Sequence, residues 1–596
     1  MKKKYLFILA LAATMFAACS SNEDITSDGT GGGETLPNGG AVTVRVNLPQ
    51  VSGTRADFPD PEDGTENEYA VQTATIALYD ANKVCVGLRT FTPTELGFKE
   101  NKVDPAITST SNVVIVLDKK VNTPKYALAV VNTFDGKNKL SPTIGSHYSD
   151  FQDAITEAEY NGKVADNDFM MTNSNFVSPD DGTKGVTEDG LQVINPASIT
   201  TSAEVASESA TQIYVERVSA KVTLKLPLDK MEGFGTVTKV DGSTVIDFNG
   251  KGTLTLKGWN LTTTNLTYFP VKHIDINEWN NVKYQLSNDW SNPAAYRTYW
   301  AKDPNYNYLQ IVPSGMLDGF NYVSYNAMTG KFDENGKVQY CLENTFNKEG
   351  QYQNATTSVI LAGVYRLTAQ ANVVPAATGT TPDPDIISIN GTVYSLDDAK
   401  LTLANNIKAA GYTEDANTPI SADKIKITAA YDANTNVAVT VTYGDEDLPL
   451  FKDGSVSADK IKDVIKKLYA SQGIQYYVGG KCFYTVMIKN FTDNEVQLWD
   501  DESKGTFYKY GDEVQNNDPY SWGCLGRYGI VRNTSYTVNI QSISGIGKPI
   551  YDPEEPTNPD PKDPEDPPTP DDTKGSVISA QINILPWAVR SQDVNL

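Results

Sequence analysis

The amino-acid sequence predicts an all-β protein with a few short helices, and three observations support this fold class. The chain contains 32 Tyr among 596 residues together with frequent Thr, Val and Asn, a composition that favours strands. Runs in which apolar and polar residues alternate recur along most of the chain, whereas helical spacing occurs in only a few places. Gly and Pro separate these runs and mark turns. This pattern is typical of β-sandwiches.

The first 19 residues predict export. A lysine-rich start precedes the apolar stretch 5–18, which is too short to span a membrane as a stable helix. The stretch ends in two alanines and Cys19, which resembles a bacterial lipobox, where the cysteine is acylated and becomes the new N-terminus. Phe16 stands where such motifs usually have Leu, and an ordinary signal peptide cut after Ala18 is the alternative. Acyl chains at ~0.8 kcal/mol per buried CH₂ would hold Cys19 firmly on a membrane.

A strand and an exposed loop follow a flexible tether at residues 20–40. Four apolar residues alternate with polar ones, as in a half-buried strand: Val42, Val44, Val46 and Leu48. The next residues, 51–60, are polar and contain Gly and Pro, so we expect an exposed loop. Arg55 is an accessible basic residue within it, and such loops are where proteases cut.

In the body of the chain, predicted strands alternate with predicted turns. Strands are predicted at 73–79, 112–117, 125–131, 212–226, 252–259, 358–367, 424–430, 436–443, 476–489 and 535–543. A turn-rich patch at 230–241 is a candidate boundary between domains.

Three helices are predicted among these strands. A short helix is expected at 150–160. Ser395 is placed to cap a helix that ends before Gly411. Ser457 is placed to cap another that ends before Gly473.

The C-terminal end combines an extended arm with one more strand. Residues 549–572 contain nine prolines and many acidic residues, a composition that favours polyproline II. At ~3.1 Å per residue this arm reaches roughly 70 Å when straight. A patterned strand follows it and has no neighbouring strand close in sequence. Its apolar positions are Ile578, Ala580, Ile582 and Ile584, with Trp587 just beyond.

Charge and histidine content exclude several classes of function. With 50 Lys+Arg and 74 Asp+Glu the net charge is −24, which argues against binding nucleic acid. Only two histidines, His147 and His273, are available for zinc sites or proton transfer. Charged residues at 21% and hydrophobic residues at 39% fit a folded chain.

No motif predicts an enzyme, a cofactor or a metal site. The acidic pairs Asp500-Asp501 and Glu554-Glu555 lie in polar, turn-like or linker sequence, where a solvated surface explains them. The glycines at 31–33 follow no strand and open no helix, unlike a phosphate-binding loop. The acidic linker lacks the Gly and the spacing of a calcium loop.

Four cysteines besides Cys19 show no metal-type spacing. They are Cys85, Cys341, Cys482 and Cys524. One or two disulfides in an oxidising compartment and buried free thiols are both open.

Two isolated strands, at 42–48 and at 578–584, carry the functional hypothesis. An isolated strand needs a backbone partner and a groove for its apolar face. A protease cut after Arg55 would free the first strand, and the second strand, from another copy of the chain, would fill the groove by donor-strand complementation. Such a contact is heterologous and builds a filament. The alternative is that both strands pair within one subunit.

Several short motifs, in this order, match a known family. They are the lipobox at Cys19, the Arg55-Ala56 junction, the segments 169–173, 215–221, 296–301, 343–345 and 528–536, the acidic Pro-rich linker, 584–587 and the tail 594–596. The chain resembles the type V fimbrillins of Bacteroidetes, in particular the major-subunit branch of short fimbriae. The resemblance extends in scattered form over most of the chain.

The resemblance implies two transthyretin-like β-sandwich domains in tandem, export as a lipoprotein to the outer membrane, and assembly into a cell-surface fimbrium. Cys19 would be acylated, and an Arg-specific protease would cut between Arg55 and Ala56, releasing the strand 42–48. Arg45 is a rival cut but lies within that strand. The donor residues would be Ile578, Ala580, Ile582 and Ile584, with Trp587 as an anchor.

The implied division of the chain has six parts. They are a lipoprotein signal peptide at 1–19, a propeptide at 20–55, an N-terminal sandwich at 56–235, a C-terminal sandwich at 236–548, a linker at 549–575 and a donor-strand segment at 576–596. The partners implied are other copies of the chain, accessory fimbrial subunits, the protease, and host or bacterial surface ligands.

Two alternatives remain open from the sequence. Four tryptophans within a 42-residue window would suit a surface adhesin that stacks on sugars, although core packing explains them equally well. They are Trp259, Trp279, Trp290 and Trp300. A tip or anchor subunit of a fimbria is the second alternative, but tip subunits need no free donor strand.

Overall fold

The structure is a computed structural model. It describes residues 35–36, 40–49, 62–63, 68, 70–97, 99–100, 107–117, 121–132, 141–154, 156–157, 169–174, 189–200, 209–226, 237–240, 243–275, 300–306, 319–323, 338–347, 355–368, 383–431, 437–443, 449–452, 455–460, 463–464, 474–488, 528–549 and 578–588.

Strands dominate the described residues. The strands up to the middle of the chain are β1 (Thr35–Leu36), β2 (Gly40–Pro49), β3 (Glu62–Asp63), β4 (Ala74–Tyr79), β5 (Cys85–Phe91), β6 (Lys99–Glu100), β7 (Ile107–Leu117), β8 (Val121–Asn122), β9 (Tyr126–Val131), β10 (Thr156–Glu157), β11 (Met171–Asn173), β12 (Gln192–Val193), β13 (Ile199–Thr200), β14 (Thr211–Arg217), β15 (Ser219–Lys225), β16 (Val237–Val240), β17 (Ser243–Asp247), β18 (Gly252–Thr262), β19 (Thr264–Asn265) and β20 (Thr267–Tyr268).

The remaining strands are β21 (Phe320–Asn321), β22 (Val338–Leu342), β23 (Ser358–Leu367), β24 (Ile386–Ile389), β25 (Thr392–Ser395), β26 (Tyr412–Thr413), β27 (Ile425–Tyr431), β28 (Val437–Tyr443), β29 (Pro449–Lys452), β30 (Ser455–Lys460), β31 (Ile474–Tyr477), β32 (Lys481–Met487), β33 (Thr534–Ile543) and β34 (Ile578–Ala588). The α-helices that lie wholly within the described residues are α1 (Pro93–Leu96), α2 (Tyr148–Gln152) and α3 (Leu396–Ala409). None of the described helices is long and apolar enough to cross a membrane.

The first sandwich is formed by one sheet that folds back on itself. Its strand order is β5-β4-β9-β11-β14-β2-β7-β6, with β12 beside β9 and β13 beside β2. One apolar core contains Val44 of β2 and Ile115 of β7 together with Ile76 of β4 and Ala129 of β9. Both ends of the strand path therefore line the same core, as the two layers of a sandwich do.

The second sandwich consists of two five-stranded sheets. Their orders are β22-β15-β33-β34-β3 and β16-β17-β18-β23-β32. The core between them holds Leu224 of β15 and Val538 of β33 from one sheet, and Leu256 of β18 and Leu361 of β23 from the other. The prediction of an all-β chain with few helices, built from two β-sandwiches in tandem, is confirmed.

A smaller α/β unit is inserted between β23 and β32, which are neighbours in the second sandwich. It comprises β24 to β31 and α3, and it has its own core, in which Leu403 and Ile407 of α3 pack with Ile427. Ser395 caps α3 as predicted, since its side chain accepts a hydrogen bond from the Asp398 N–H at 3.1 Å.

The chain passes from the first sandwich to the second within a single predicted strand. The run 212–226 is divided into β14 and β15 by Val218, whose N–H donates to the Met170 carbonyl at 3.1 Å. β14 pairs with β11 and β2 in the first sandwich, while β15 pairs with β22 and β33 in the second. Sheet membership thus changes upstream of the turn-rich patch at 230–241.

Two other predicted elements differ from the structure in their bounds. The strand 476–489 is broken by a 3-10 turn, Val478–Gly480, where Gly479 and Gly480 have positive φ. The helix 150–160 begins and ends earlier, as α2, and a strand, β10, follows. Its N-cap is His147, whose ring accepts the Ser149 N–H.

The prediction that a helix begins after Ser457 is wrong. Ser457 lies in β30, which pairs with β29 through Lys452 and Ser455. The sequence between these two paired residues is Asp-Gly, a dipeptide that favours two-residue hairpins. Of the predicted helix, only residues 463–464 are described as helical.

Candidate assembly site: two terminal strands and their sheets

Strand β2, the predicted removable strand, lies in the interior of the first sandwich. It pairs antiparallel with β7 along its whole length. On its other side it pairs parallel with β14 and antiparallel with β13. A strand with ladder partners on both sides leaves two unpaired backbone edges if it is removed.

The apolar positions of β2 fill the core of the sheet. Val42, Val44 and Val46 are all 0% exposed. They share one apolar cluster with Ile115 of β7 and Ile213 of β14. At about 1.5–3 kcal/mol for each buried side chain, these valines contribute several kcal/mol as an upper bound. The structure describes the backbone of Leu48, within β2, but not its side chain.

The other face of β2 holds polar residues. Arg45 Nε donates to Asn112 Oδ1 on β7 at 2.8 Å. Thr43 is 1% exposed, and its hydroxyl oxygen has no hydrogen-bond partner among the described residues. Position 43 therefore accepts a small polar side chain, whereas position 45 accepts a longer one.

Strand β34, the predicted donor strand, lies near an edge of the second sandwich. It pairs antiparallel with β33 from Ile578 to Pro586. On its other side, the partners within the described part of the chain are the two residues of β3, which pair in parallel with Trp587 and Ala588. In this register Ile582 stands opposite Val538, a fully buried residue of β33.

Both terminal strands are thus paired within one chain in this structure. This is the arrangement of the alternative stated from the sequence, in which both strands pair within one subunit. Among the strands that the structure describes, their pairing differs in extent, because β2 has long partners on both sides and β34 on one. Arg45, the rival cut, lies inside β2. The predicted lipidation site Cys19, the predicted cut at Arg55 and Ala56, and the linker after residue 549 lie outside the described residues.

Charged side chains are buried where the two sandwiches meet. Glu216 of β14 pairs with Lys272, with 2.5 Å between Oε1 and Nζ. Glu343 pairs with Arg532, with 2.8 Å between Oε2 and Nη2. All four side chains are at most 1% exposed. Burying a charge is costly unless an opposite charge accompanies it, so each pair fixes two distant segments together.

Glu68 joins the start of the body to both sandwiches. Its carboxylate lies 3.2 Å from Lys221 Nζ of β15 and accepts a hydrogen bond from the Tyr340 hydroxyl of β22. Its backbone carbonyl accepts from Arg217 Nε of β14 at 2.9 Å. Arg217 Nη1 also donates to Asn533 Oδ1 at 3.1 Å. This contact holds the chain shortly after the predicted cut.

Sequence reasoning missed this junction, although four of the motifs behind the family resemblance meet there. The segments are 169–173, 215–221, 343–345 and 528–536. The signal was present as charged residues inside strand-like runs, such as Glu216 and Lys221. Their partners could not be read from the sequence, because Glu343 and Arg532 are 189 residues apart.

Asp303 is a buried carboxyl beside the same junction. It is 4% exposed, and burial raises its pKa to about 7. The negative charge of Glu343 also raises this pKa. The backbone N–H groups of Asn305 and Thr345 donate to its two oxygens at 2.7 and 2.6 Å, which lowers the pKa and limits the rise.

Three of the cysteines and two of the tryptophans are core residues. Cys85, Cys341 and Cys482 are buried free thiols, and burial raises the pKa of each to about 11 or 12. Cys524 lies outside the described residues. Trp259 and Trp300 are 0% and 2% exposed and are not available to stack on a sugar.

The other two tryptophans of the adhesin hypothesis, Trp279 and Trp290, lie outside the described residues. Among the residues that the structure describes, no group of three or more His, Cys, Asp and Glu side chains could hold a metal ion.

Comparison with known proteins identifies a relationship at the C-terminal end. Residues 506–593 match the family model described as the major fimbrial subunit protein type IV, fimbrillin, C-terminal. This segment includes β33 and β34. No curated protein matches the chain.

Among solved structures, the chain is similar to a fimbrilin from Porphyromonas gingivalis, with 12% identity, a TM-score of 0.37, and coverage of 93% of this chain and 98% of that one. It is also similar to the tip fimbrial protein of the same organism, truncated at its C-terminus, with 10% identity, a TM-score of 0.32, and coverage of 92% and 100%. A fimbrial assembly protein from Parabacteroides distasonis has 10% identity, a TM-score of 0.27, and coverage of 70% and 99%. The predicted resemblance to fimbrillins is confirmed by the family match: the C-terminal part of the chain is fimbrillin-like, and this indicates a fimbrial subunit at the cell surface.

Proposed function

We propose that this protein is the major, filament-building subunit of a fimbria, and that it polymerises by donor-strand exchange after proteolysis. The observation that carries the proposal is the unequal placement of the two terminal strands. β2 is an interior strand whose valines are fully buried, and its covalent link to the body runs through the segment that contains Arg55. Among the described strands β34 has one long neighbour, β33, and in the sequence it follows the acidic Pro-rich segment.

Cleavage between Arg55 and Ala56 makes β2 a separate segment, held by pairing and packing alone. Its departure leaves a groove between β7 and β14 that is lined by Ile115 and Ile213. Open backbone edges and an exposed apolar floor are unfavourable in water. A strand of matching pattern stabilises the groove because it pairs with both backbone edges and covers the apolar floor.

The occupant of the groove is β34 of another copy. The arm of residues 549–575 carries it away from its own body, and its acidic side chains keep the arm solvated. Donor and groove are different surfaces, so each subunit accepts one strand and offers another, which gives an open filament. The first sandwich, which holds β2, is then the acceptor, and the second sandwich, in which β34 lies, carries the donor.

Export precedes assembly. Cys19 would be acylated and would anchor the uncut subunit in the outer membrane until the cut at Arg55 separates body from anchor. Accessory subunits would begin or end the filament, and the exposed body would meet host or bacterial surface ligands.

Proteolysis of the purified chain tests this function. A chain lacking residues 1–19 is treated with an Arg-specific, trypsin-like protease and followed on a denaturing gel without boiling. We expect a ladder of oligomers, because strands paired along ten residues dissociate slowly. Arg55→Ala should abolish the ladder, and so should deletion of residues 576–596.

Arg45→Ala is the matched control, since the rival cut lies within strand β2, which is paired on both sides. It should leave the ladder unchanged. A ladder that persists in Arg55→Ala, or in the chain without residues 576–596, would show that the proposed mechanism is wrong.

A further inference from the structure

The removable strand and the donor strand have matching sequences, position by position. Residues 42–48 read Val-Thr-Val-Arg-Val-Asn-Leu, and residues 578–584 read Ile-Ser-Ala-Gln-Ile-Asn-Ile. Every odd place in the two segments is aliphatic. The second place is a hydroxyl residue, the fourth is a long polar residue, and the sixth is Asn in both. Such agreement concerns both faces of the strand, not only the core face.

The aliphatic content of the two strands is also equal. Three valines and one leucine carry thirteen side-chain carbons, and so do three isoleucines and one alanine. Core substitutions that conserve total volume are tolerated best. A groove shaped by β2 therefore suits the segment 578–584 as a whole. The volume lost where Ala580 replaces a valine is offset by the larger isoleucines at the neighbouring positions.

From these matches we infer the register of assembly: the neighbour's Ile578, Ala580, Ile582 and Ile584 take the places of Val42, Val44, Val46 and Leu48. This inference rests on the proposed function and specifies its site. The donor strand then runs parallel to β14 and antiparallel to β7, as β2 does. Ala580 stands opposite Val113, and Gln581 stands opposite Asn112.

Position 43 selects this register over a shift by two residues. Thr43 is buried, and its hydroxyl has no hydrogen-bond partner within the described part of the chain. The inferred register places Ser579 there, which is also a small hydroxyl residue. A shift that moves the donor two residues toward the start of β2 would place the amide of Gln581 there, and an unpartnered buried amide is costly.

The same shift would place Pro586 at the position of Leu48, whose backbone pairs with Ser109. Proline has no N–H for a ladder hydrogen bond. In the inferred register Pro586 falls beyond the end of β2 instead. The opposite shift would place Ser576 at the fully buried position of Val42, and any odd shift would turn Gln581 and Asn583 toward the core.

Position 45 provides the polar match on the outer face. Arg45 Nε donates to Asn112 Oδ1 at 2.8 Å, so these two side chains face each other across the strand pair. The amide nitrogen of Gln581 can donate to the same oxygen. This pair of positions is therefore suited to a cross-link that reports the register.

Cysteine cross-linking between subunits tests the inference. Three double variants share Asn112→Cys and differ in the donor residue: Ser579→Cys, Gln581→Cys or Asn583→Cys, all in a chain lacking residues 1–19 and carrying Cys524→Ser. Directly opposed residues of a strand pair have Cα atoms about 4.5–5.5 Å apart, within disulfide range. After proteolysis and mild oxidation, we expect a reducible ladder that survives boiling in the Gln581→Cys variant and its loss in the other two.

The uncut chain is the control for each variant. In it Gln581 pairs with Asn539 and Asn112 pairs with Arg45, so no cross-link should form before proteolysis. A reducible ladder in the Asn583→Cys or Ser579→Cys variant, or in none of the three while the unboiled ladder still appears, would overturn the register and leave donor-strand exchange intact. Absence of the unboiled ladder from the parent chain would instead contradict the proposed function.

Discussion

At the scale of single residues, the junction between the sandwiches is notable for charged side chains that are buried. Lys272 and Glu216 are withdrawn from water, and the opposite charge of each lowers the cost of burying the other. The apolar positions of β2 were predictable one by one, because alternation alone assigns Val42, Val44 and Val46 to the core. The buried pairs were not predictable, because nothing local specifies which distant charge meets which.

Lys272→Met is expected to destabilise the chain by about 3–5 kcal/mol, because it leaves Glu216 buried without its cation. The matched control is Lys302→Met, which removes a half-exposed partner of Asp275 with Nζ and Oδ2 2.9 Å apart. A surface pair of this kind contributes about 0–1 kcal/mol. Urea denaturation of the uncut chain measures both, and equal effects would argue against a special role for the buried pair.

Asp303 gives the stability a pH dependence of known sign. Its pKa is raised in the folded state to about 7, so the folded chain holds this proton more tightly than the unfolded chain. The contribution is fully present below the unfolded pKa near 3.8 and is lost as pH rises to about 7. This loss is at most about 4 kcal/mol.

The two pKa values of Asp303 set a window of about three pH units, between pH 4 and pH 7, in which the free energy of unfolding should fall. Asp303→Asn should make this fall smaller, because the amide does not titrate. Denaturant unfolding at several pH values gives the slope, and Asp275→Asn serves as the half-exposed control. An unchanged slope in Asp303→Asn would show that this carboxyl does not titrate between those limits.

At the scale of elements, strands were predicted well wherever alternation was clean and both ends carried turn residues. The strand 358–367 is found with those bounds, and 42–48 lies within β2. Errors arose where tertiary pairing decided the outcome: the run 212–226 serves two sheets, and Ser457 joined a hairpin instead of capping a helix. Partner strands were beyond reach, because β2 and β14 are separated by more than 160 residues yet lie side by side.

At the scale of the whole molecule, the inserted α/β unit is set apart from the two sandwiches by its own core. Its base, however, belongs to the second sandwich: Ile386 and Tyr477 pack in that core. The sequence signalled the helix α3 but not that the surrounding strands form a separate unit, since insertion leaves no mark in local pattern.

Replacing residues 388–475 by Asn-Gly should leave folding and polymerisation intact. Ile387 and Tyr476 pair directly, so a two-residue hairpin can close there, with both changed to Thr to avoid an exposed apolar pair. The thermal transition and the ladder after proteolysis are measured against the full chain. Loss of the folded state would show that the unit is required by the second sandwich, and loss of the ladder alone would give it a role in assembly.

The crossing at Val218 has a mechanical consequence. β14 borders the groove of β2, and it continues through one residue into β15, which lies parallel to β33 in the second sandwich. Tension applied along a strand in the groove would therefore pass by ladder hydrogen bonds to β14, and then along covalent backbone to β15. Ladder bonds pulled along the strand axis share the load and must fail together, unlike bonds that are peeled one at a time. In a filament of such subunits, fluid drag would pull each joint along its strand axis, the direction in which the joint resists force best.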